Sequence, residues 1–124
     1  MFMFKDILLI GLGGFLGTMG RYALSTMINH QMKSFFLGTF VVNVLGSLLI
    51  GIFYGWGESR SWMNPQTRIL LTSGFCGGFT TFSAFAFENV KLIESNSFSI
   101  PALYIITSVS VCIFAGYAGY QLTK

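Results

Sequence analysis

An all-α integral membrane protein with four transmembrane helices is the fold this sequence predicts, and three observations carry it. Of 124 residues, 53% are hydrophobic and 9% charged, and the mean hydropathy is +0.70, too apolar for a soluble domain of this size. The apolar residues fall into four runs, each long enough for the roughly 20 helical residues that a bilayer core requires. Short polar connectors separate the runs, leaving no room for a soluble domain, so residues 1–124 read as one small helical unit.

The first helix is expected over about residues 4–28. Lys5 precedes it as a signal peptide's charge would, but the continuation GGFLGTMGRY lacks a small-residue cleavage pattern, so the segment reads as retained. The second helix is expected over about 35–56 and the third over about 68–93, after Asn64-Pro65, where a capping side chain stands before a proline of the first turn. Ser99 before Pro101 gives the same start signal for a fourth helix, about 100–122. The connectors are then Asn29 to Ser34, Gly57 to Thr67 and Glu94 to Ser99, with the lone His30 in the first of them.

The third run holds the stretch GFCGGFTTFSAFAFE, Gly74 to Glu88. Paired glycines weaken a helix and β-branched Thr-Thr restores little, so the helix is expected to break near Gly77–Thr81. A break inside a bilayer is tolerated only where protein, water or an ion satisfies the freed backbone groups, which marks the stretch as functional. Beyond it, Phe82 and Phe85 are three apart and share a face.

Polar residues recur inside the spans. Thr39, Asn43 and Ser47 are four apart, as are Tyr104, Ser108 and Cys112, so each set forms a stripe on one helix face. For Asn43, lining of a pathway outweighs a lone interhelical hydrogen bond, whereas the fourth-helix stripe taken by itself is more often packing. Arg21 follows GGFLGTMG near the expected end of the first helix, where its guanidinium either snorkels to the interface or sets a positive potential at a pore mouth. Cys76 and Cys112 lie in apolar runs and read as small buried side chains.

Small residues four apart (Gly13/Gly17, Gly51/Gly55, Gly74/Gly78 and Ala115/Gly119) predict close helix contacts. Four helices enclose little interior, so a homo-oligomer is expected. The basic residues divide as Lys5, Arg60, Arg68 and Lys124 on one side against Arg21, Lys33 and Lys91 on the other. That near balance gives no preferred orientation, which permits an antiparallel dimer of identical subunits. The net charge of +3 comes from scattered residues, which make no nucleic-acid patch and fit lipid headgroups and anions better.

Three segments together resemble the Fluc/CrcB family of fluoride channels: GGFLGTMGRY (Gly13 to Tyr22), GTFVVNVLGSLLIG (Gly38 to Gly51) and GFCGGFTTFSAF (Gly74 to Phe85). The resemblance implies an antiparallel, dual-topology homodimer in the inner (plasma) membrane, with two fluoride pathways and a structural Na+ at the dimer centre. It places Asn43, Phe82 and Phe85 on the pathway, the polar track of the fourth helix on Tyr104, Ser108 and Cys112, and the carbonyls of Gly77 and Thr80 on the sodium. The chain departs from the family's pattern at Thr18, Ala84 and Cys112, where alanine, threonine and serine are usual.

Elementary chemistry fits that implication. Fluoride is small and strongly hydrated, so a selective path must replace its water with donors. Asn43, Ser83, Tyr104 and Ser108 are neutral donors, and Phe82 and Phe85 present electropositive ring edges. Asp6, Glu58, Glu88 and Glu94 are all expected near helix ends or connectors, which argues against proton coupling. This weakens the main alternative, a small four-helix multidrug exporter, which needs an embedded acid in its first helix. A purely structural membrane subunit would leave the polar stripes and the break without purpose. No nucleophile–base pair is present in the sequence, so no enzyme is expected.

Overall fold

The computed structural model describes residues 3–124; the first two residues of the expected 1–124 unit lie outside the described residues. Four helical spans run antiparallel to their chain neighbours. They are α1 (Phe4–Met32), α2 (Leu37–Ser59), a composite third span over Pro65–Glu94, and α6 (Ser99–Thr123). All four are long and apolar enough to cross a membrane. The third span is built of α3 (Pro65–Ile69), a π-helical segment (Leu70–Cys76), the single turn α4 (Gly77–Phe79), a non-helical link, and α5 (Ser83–Glu94).

The helix ends show which local signals the chain uses. Asn64 caps α3 as expected, its Oδ1 accepting the Thr67 N–H at 2.9 Å with Pro65 in the first turn. Ser99 does not cap: it lies inside α6, whose N-cap Phe98 makes no side-chain bond. Asn29 and His30, expected in a connector, belong to α1, which runs on to Met32 and stops at Lys33 in the left-handed conformation (φ 50°). Asn29 is instead used across the turn, where its Oδ1 accepts the Gly38 N–H at 2.7 Å. Ser34 Oγ takes the Phe36 and Leu37 N–H groups, each at 3.1 Å.

Two helix pairs form the body of the fold. α1 lies along the first half of the third span, and α2 lies along α6. Glycine makes both approaches possible. A methyl group at Gly17 would land on the Phe75 carbonyl, one at Gly51 on the Gly116 carbonyl, and one at Gly119 on the Leu48 carbonyl. The predicted four-residue spacing is therefore real packing chemistry: backbones touch where a Cβ would hold them apart. The outer surface remains apolar, with large side chains such as Phe114 and Leu122 exposed, as suits a chain whose solvent is hydrocarbon.

That packing gives a first expected result. Gly51→Ala and Gly17→Ala should each destabilise the fold by about 1 to 3 kcal/mol through overpacking against backbone. Gly11→Ala, whose added methyl meets nothing within 4 Å, should be neutral or mildly stabilising, since alanine is the better helix former. Thermal unfolding in detergent distinguishes them, and equal midpoints for the Gly11 and Gly51 variants would contradict the close-packing account.

Candidate functional site

The break in the third span sits at Thr80–Phe82, at the C-terminal end of the stretch expected to open. Gly77 and Gly78 stay helical in α4, and the backbone becomes extended at Thr80 (φ −95°, ψ 159°). Packing explains why the glycines do not open: a Cβ at Gly78 would come within 2.6 Å of the Gly14 carbonyl and 3.0 Å of Thr18 Oγ1, so this glycine lets α4 lie on α1.

Side chains from other helices replace the backbone bonds lost there. In an unbroken helix the Thr81 N–H would serve the Gly77 carbonyl; it goes instead to Asn43 Oδ1 at 2.8 Å. Asn43 Nδ2 returns a bond to the Thr81 carbonyl at 3.0 Å, so one amide side chain holds both polar groups of one residue. The Ala84 N–H, which would serve Thr80, goes to Thr81 Oγ1 at 3.2 Å. Arg21 Nε donates to the Gly78 carbonyl at 2.9 Å. The carbonyls of Gly77 and Thr80 are thereby left without their helical donors, and both are oxygens a hard cation could use.

Next to the break opens a cavity of about 550 Å³ between α2, the third span and α6. Asn43 and Ser47 reach it from α2, Ser108 and Cys112 from α6, and Phe82 and Phe85 from beyond the break. Ser108 is buried and its Oγ has no partner among the described residues, so a donor faces the cavity unspent. Cys76, also on the wall, is almost wholly buried as expected, while Cys112 is half-buried; both are free thiols.

The two phenylalanines differ sharply in setting. Phe85 is 7% exposed and packs edge-on to Tyr104 with ring centroids 4.9 Å apart, whereas Phe82 is 77% exposed. Their rings lie 5.6 Å apart. Phe79 faces away, stacked on Phe75 at 5.5 Å.

Other expected site residues fall nearby but not on the cavity wall. Thr39 Oγ1 and Tyr104 Oη both donate to the carboxylate of Glu88, the latter at 2.8 Å, so the upper members of the two polar stripes meet at an acid one and a half turns inside α5. Ser83 is exposed, its Oγ 3.3 Å from Thr81 Oγ1. Arg21 lies on the α1 side of the break, within the interior of a helix longer than expected, and is half-buried. Sequence reasoning named Glu88 only as an acid near a helix end, Thr81 only as part of the break and Gly78 only as a break and helix-contact glycine, and none of them as a site residue. Glu88 had a signal, because it follows Phe85 by three residues and so shares its face; the other two enter only through partners distant in sequence.

With this geometry in place, comparison with known proteins identifies the lineage. The family described as CrcB-like protein, Camphor Resistance (CrcB) matches residues 8–120. The chain belongs to the CrcB family. A relative from Flavobacterium psychrophilum named fluoride-specific ion channel FluC is 42% identical over 97% of this chain and 98% of its own length. FluC 1 of Methanosarcina acetivorans is 42% identical over 91% of this chain and 86% of its own. A Campylobacter jejuni relative of the same name is 36% identical over 98% of this chain and 100% of its own. The CrcB matches run through all four spans and the break, and the named relatives are ion channels rather than enzymes.

Proposed function

We propose that this protein is a fluoride-selective passive channel of the inner (plasma) membrane that exports cytoplasmic fluoride. The observation that carries the reading is the near end-to-end similarity to relatives named fluoride-specific ion channels, on a chain whose break borders a cavity of neutral donors and aromatic rings. Hydrogen fluoride that enters from an acidic exterior dissociates in the cytoplasm, and the trapped anion leaves down its gradient.

The chemistry of the cavity suits such an anion. A dehydrated fluoride needs hydrogen-bond donors of fixed position and no fixed cation strong enough to trap it. Asn43 Nδ2 has a second N–H beyond the one given to Thr81, Ser108 keeps its hydroxyl proton, and Phe82 and Phe85 offer ring edges. Cys112 shares the cavity wall, Ser83, Thr39, Tyr104 and Glu88 continue the polar route toward the two ends, and Arg21 stands behind the break, bonded to the Gly78 carbonyl.

The working unit is an antiparallel homodimer in the lipid bilayer with two pathways. In support, Phe82 protrudes from the single chain at the edge of the cavity, and the flanks carry Lys5, Arg60, Arg68 and Lys124 against Lys33 and Lys91, with Arg21 deep in α1. A bias this small permits both orientations. Related by a two-fold axis in the membrane plane, the breaks of two such chains would face each other.

A sodium ion at the dimer centre fits the donor set. Gly77 and Thr80 would hold it through their carbonyls, whose helical donors are diverted to Asn43 and Thr81. Neutral oxygens suit a hard monovalent cation, and its charge would offset the carbonyl dipoles crowded at the break. Purification with sodium replaced throughout by a bulky organic cation should lower both fluoride flux and dimer stability, with restoration on adding sodium back. Indifference of both would remove the ion from the account.

Liposomes loaded with potassium fluoride and carrying the purified protein test the function itself. A fluoride electrode should record rapid efflux once valinomycin relieves the charge build-up, and chloride-loaded vesicles should stay closed. Efflux that requires a proton gradient would favour an exporter, and no efflux at all a structural subunit.

A further inference from the structure

We infer that Arg21 is a positioning residue that keeps the third helix open, and that it acts through its Nε donor rather than through its charge. The inference rests on the channel reading above only for its consequence to flux.

The bookkeeping of the break gives the reason. At Thr80–Phe82 the chain could begin to heal toward a continuous helix if the Thr81 N–H returned to the Gly77 carbonyl and the Phe82 N–H to the Gly78 carbonyl. Asn43 blocks the first of these bonds by taking the Thr81 N–H at 2.8 Å. Arg21 competes for the second by donating to the Gly78 carbonyl at 2.9 Å and drawing it toward α1. Both wedges come from other helices, α2 and α1, and each engages a group of one of the helical hydrogen bonds missing at the opening.

The placement of Arg21 is specific. Gly14, Thr18 and Arg21 lie at i, i+4 and i+7 along α1 and so share a face, and the first two already touch Gly78, whose Cβ would collide with Gly14 and Thr18. The close approach of α4 to α1 therefore presents the Gly78 carbonyl to the guanidinium. The residue is interior to a 29-residue helix, where holding a cation is costly, so a function tied to the break accounts for it better than interfacial anchoring. With Gly78 taken, the oxygens of Gly77 and Thr80 remain without their helical donors.

Side-chain geometry supplies a clean separation of donor from charge. The amide nitrogen of glutamine falls at the same point along the side chain as arginine Nε, so Arg21→Gln keeps a donor there and removes the charge. Arg21→Lys keeps the charge and puts a methylene at that point. Hydrogen exchange in the purified protein reads the Phe82 amide, and liposome efflux reads transport. Arg21→Gln should leave the Phe82 amide as exchangeable as in the unaltered protein and keep flux within a few-fold. Arg21→Lys should protect that amide and lower flux roughly tenfold or more, the scale of one charge-assisted hydrogen bond.

The opposite ranking, with lysine retaining flux and glutamine losing it, would overturn the inference in favour of a charge effect, as would unchanged exchange and flux in both variants. If Arg21→Gln does not purify folded, the lysine variant decides alone: an unprotected Phe82 amide overturns the inference. If the unaltered protein passes no fluoride, the channel reading fails, and the exchange comparison still tests what holds the helix open.

Discussion

Phe82→Ile is expected to lower fluoride flux more than a hundredfold while the protein still folds and pairs. An apolar swap of similar volume costs little as packing, commonly under about 1.5 kcal/mol, and Phe82 is so exposed in the single chain that its packing cost is smaller still. If its ring edge meets the dehydrated anion, isoleucine keeps the bulk and loses the electropositive hydrogens. A loss of about 3 kcal/mol at the barrier is then more than a hundredfold in rate. Phe85→Ile should show the same fall with an added stability loss, because Phe85 packs in a cluster with Leu92 and Tyr104. Phe79→Ile, at a ring turned away onto Phe75, should change flux little. Folded Phe82→Ile dimers with near-unaltered efflux would sink the aromatic-edge mechanism.

Forcing every chain into one orientation should abolish function altogether. Ser61 and Gln66 are exposed at one end of the bundle, Gln31 and Glu94 at the other. Ser61→Lys with Gln66→Lys adds two positive charges to the side already richer in them; Gln31→Lys and Glu94→Lys combined with Lys5→Gln and Arg60→Gln reverses the bias. Each set of substitutions expressed alone should insert one way and give no fluoride resistance, while the two together should restore it. Full efflux from a population shown by end-labelling to face one way only would refute the antiparallel dimer.

The spans were legible in the sequence because hydropathy is summed over some twenty residues and single polar residues barely move it. Their ends were less so. Asn29 and His30 look like connector chemistry, yet α1 continues through them, and the stop comes from a left-handed Lys33 that no propensity singles out. Ser99 resembled Asn64 as a cap, but the helix had already started at it. The break was legible as a region and misplaced within it. Beside Gly77, Gly78 reads as a weak point, while its spacing from Gly74 reads as a helix contact; the contact with α1 is the role it serves, and the chain opens at the threonines that follow. What opens it there are Asn43 and Arg21, which stand 38 and 57 residues away from their partners. Separation in sequence, 49 residues for Thr39 and 16 for Tyr104, likewise hid their meeting at Glu88.

The π-helical segment Leu70–Cys76 has a consequence for how this chain tolerates change in length. Its wider i→i+5 turns advance through a smaller angle per residue than α turns, so it sets the azimuth of everything that follows. Substitutions within it alter only local contacts, but gain or loss of one codon there would turn α4 about its axis, carrying Gly78 off α1 and the Gly77 and Thr80 carbonyls away from the direction they now face. In lineages derived from this sequence, insertions and deletions should therefore collect in the connectors at 33–36, 60–64 and 95–98, and the register between Pro65 and Thr80 should drift in composition while staying fixed in count.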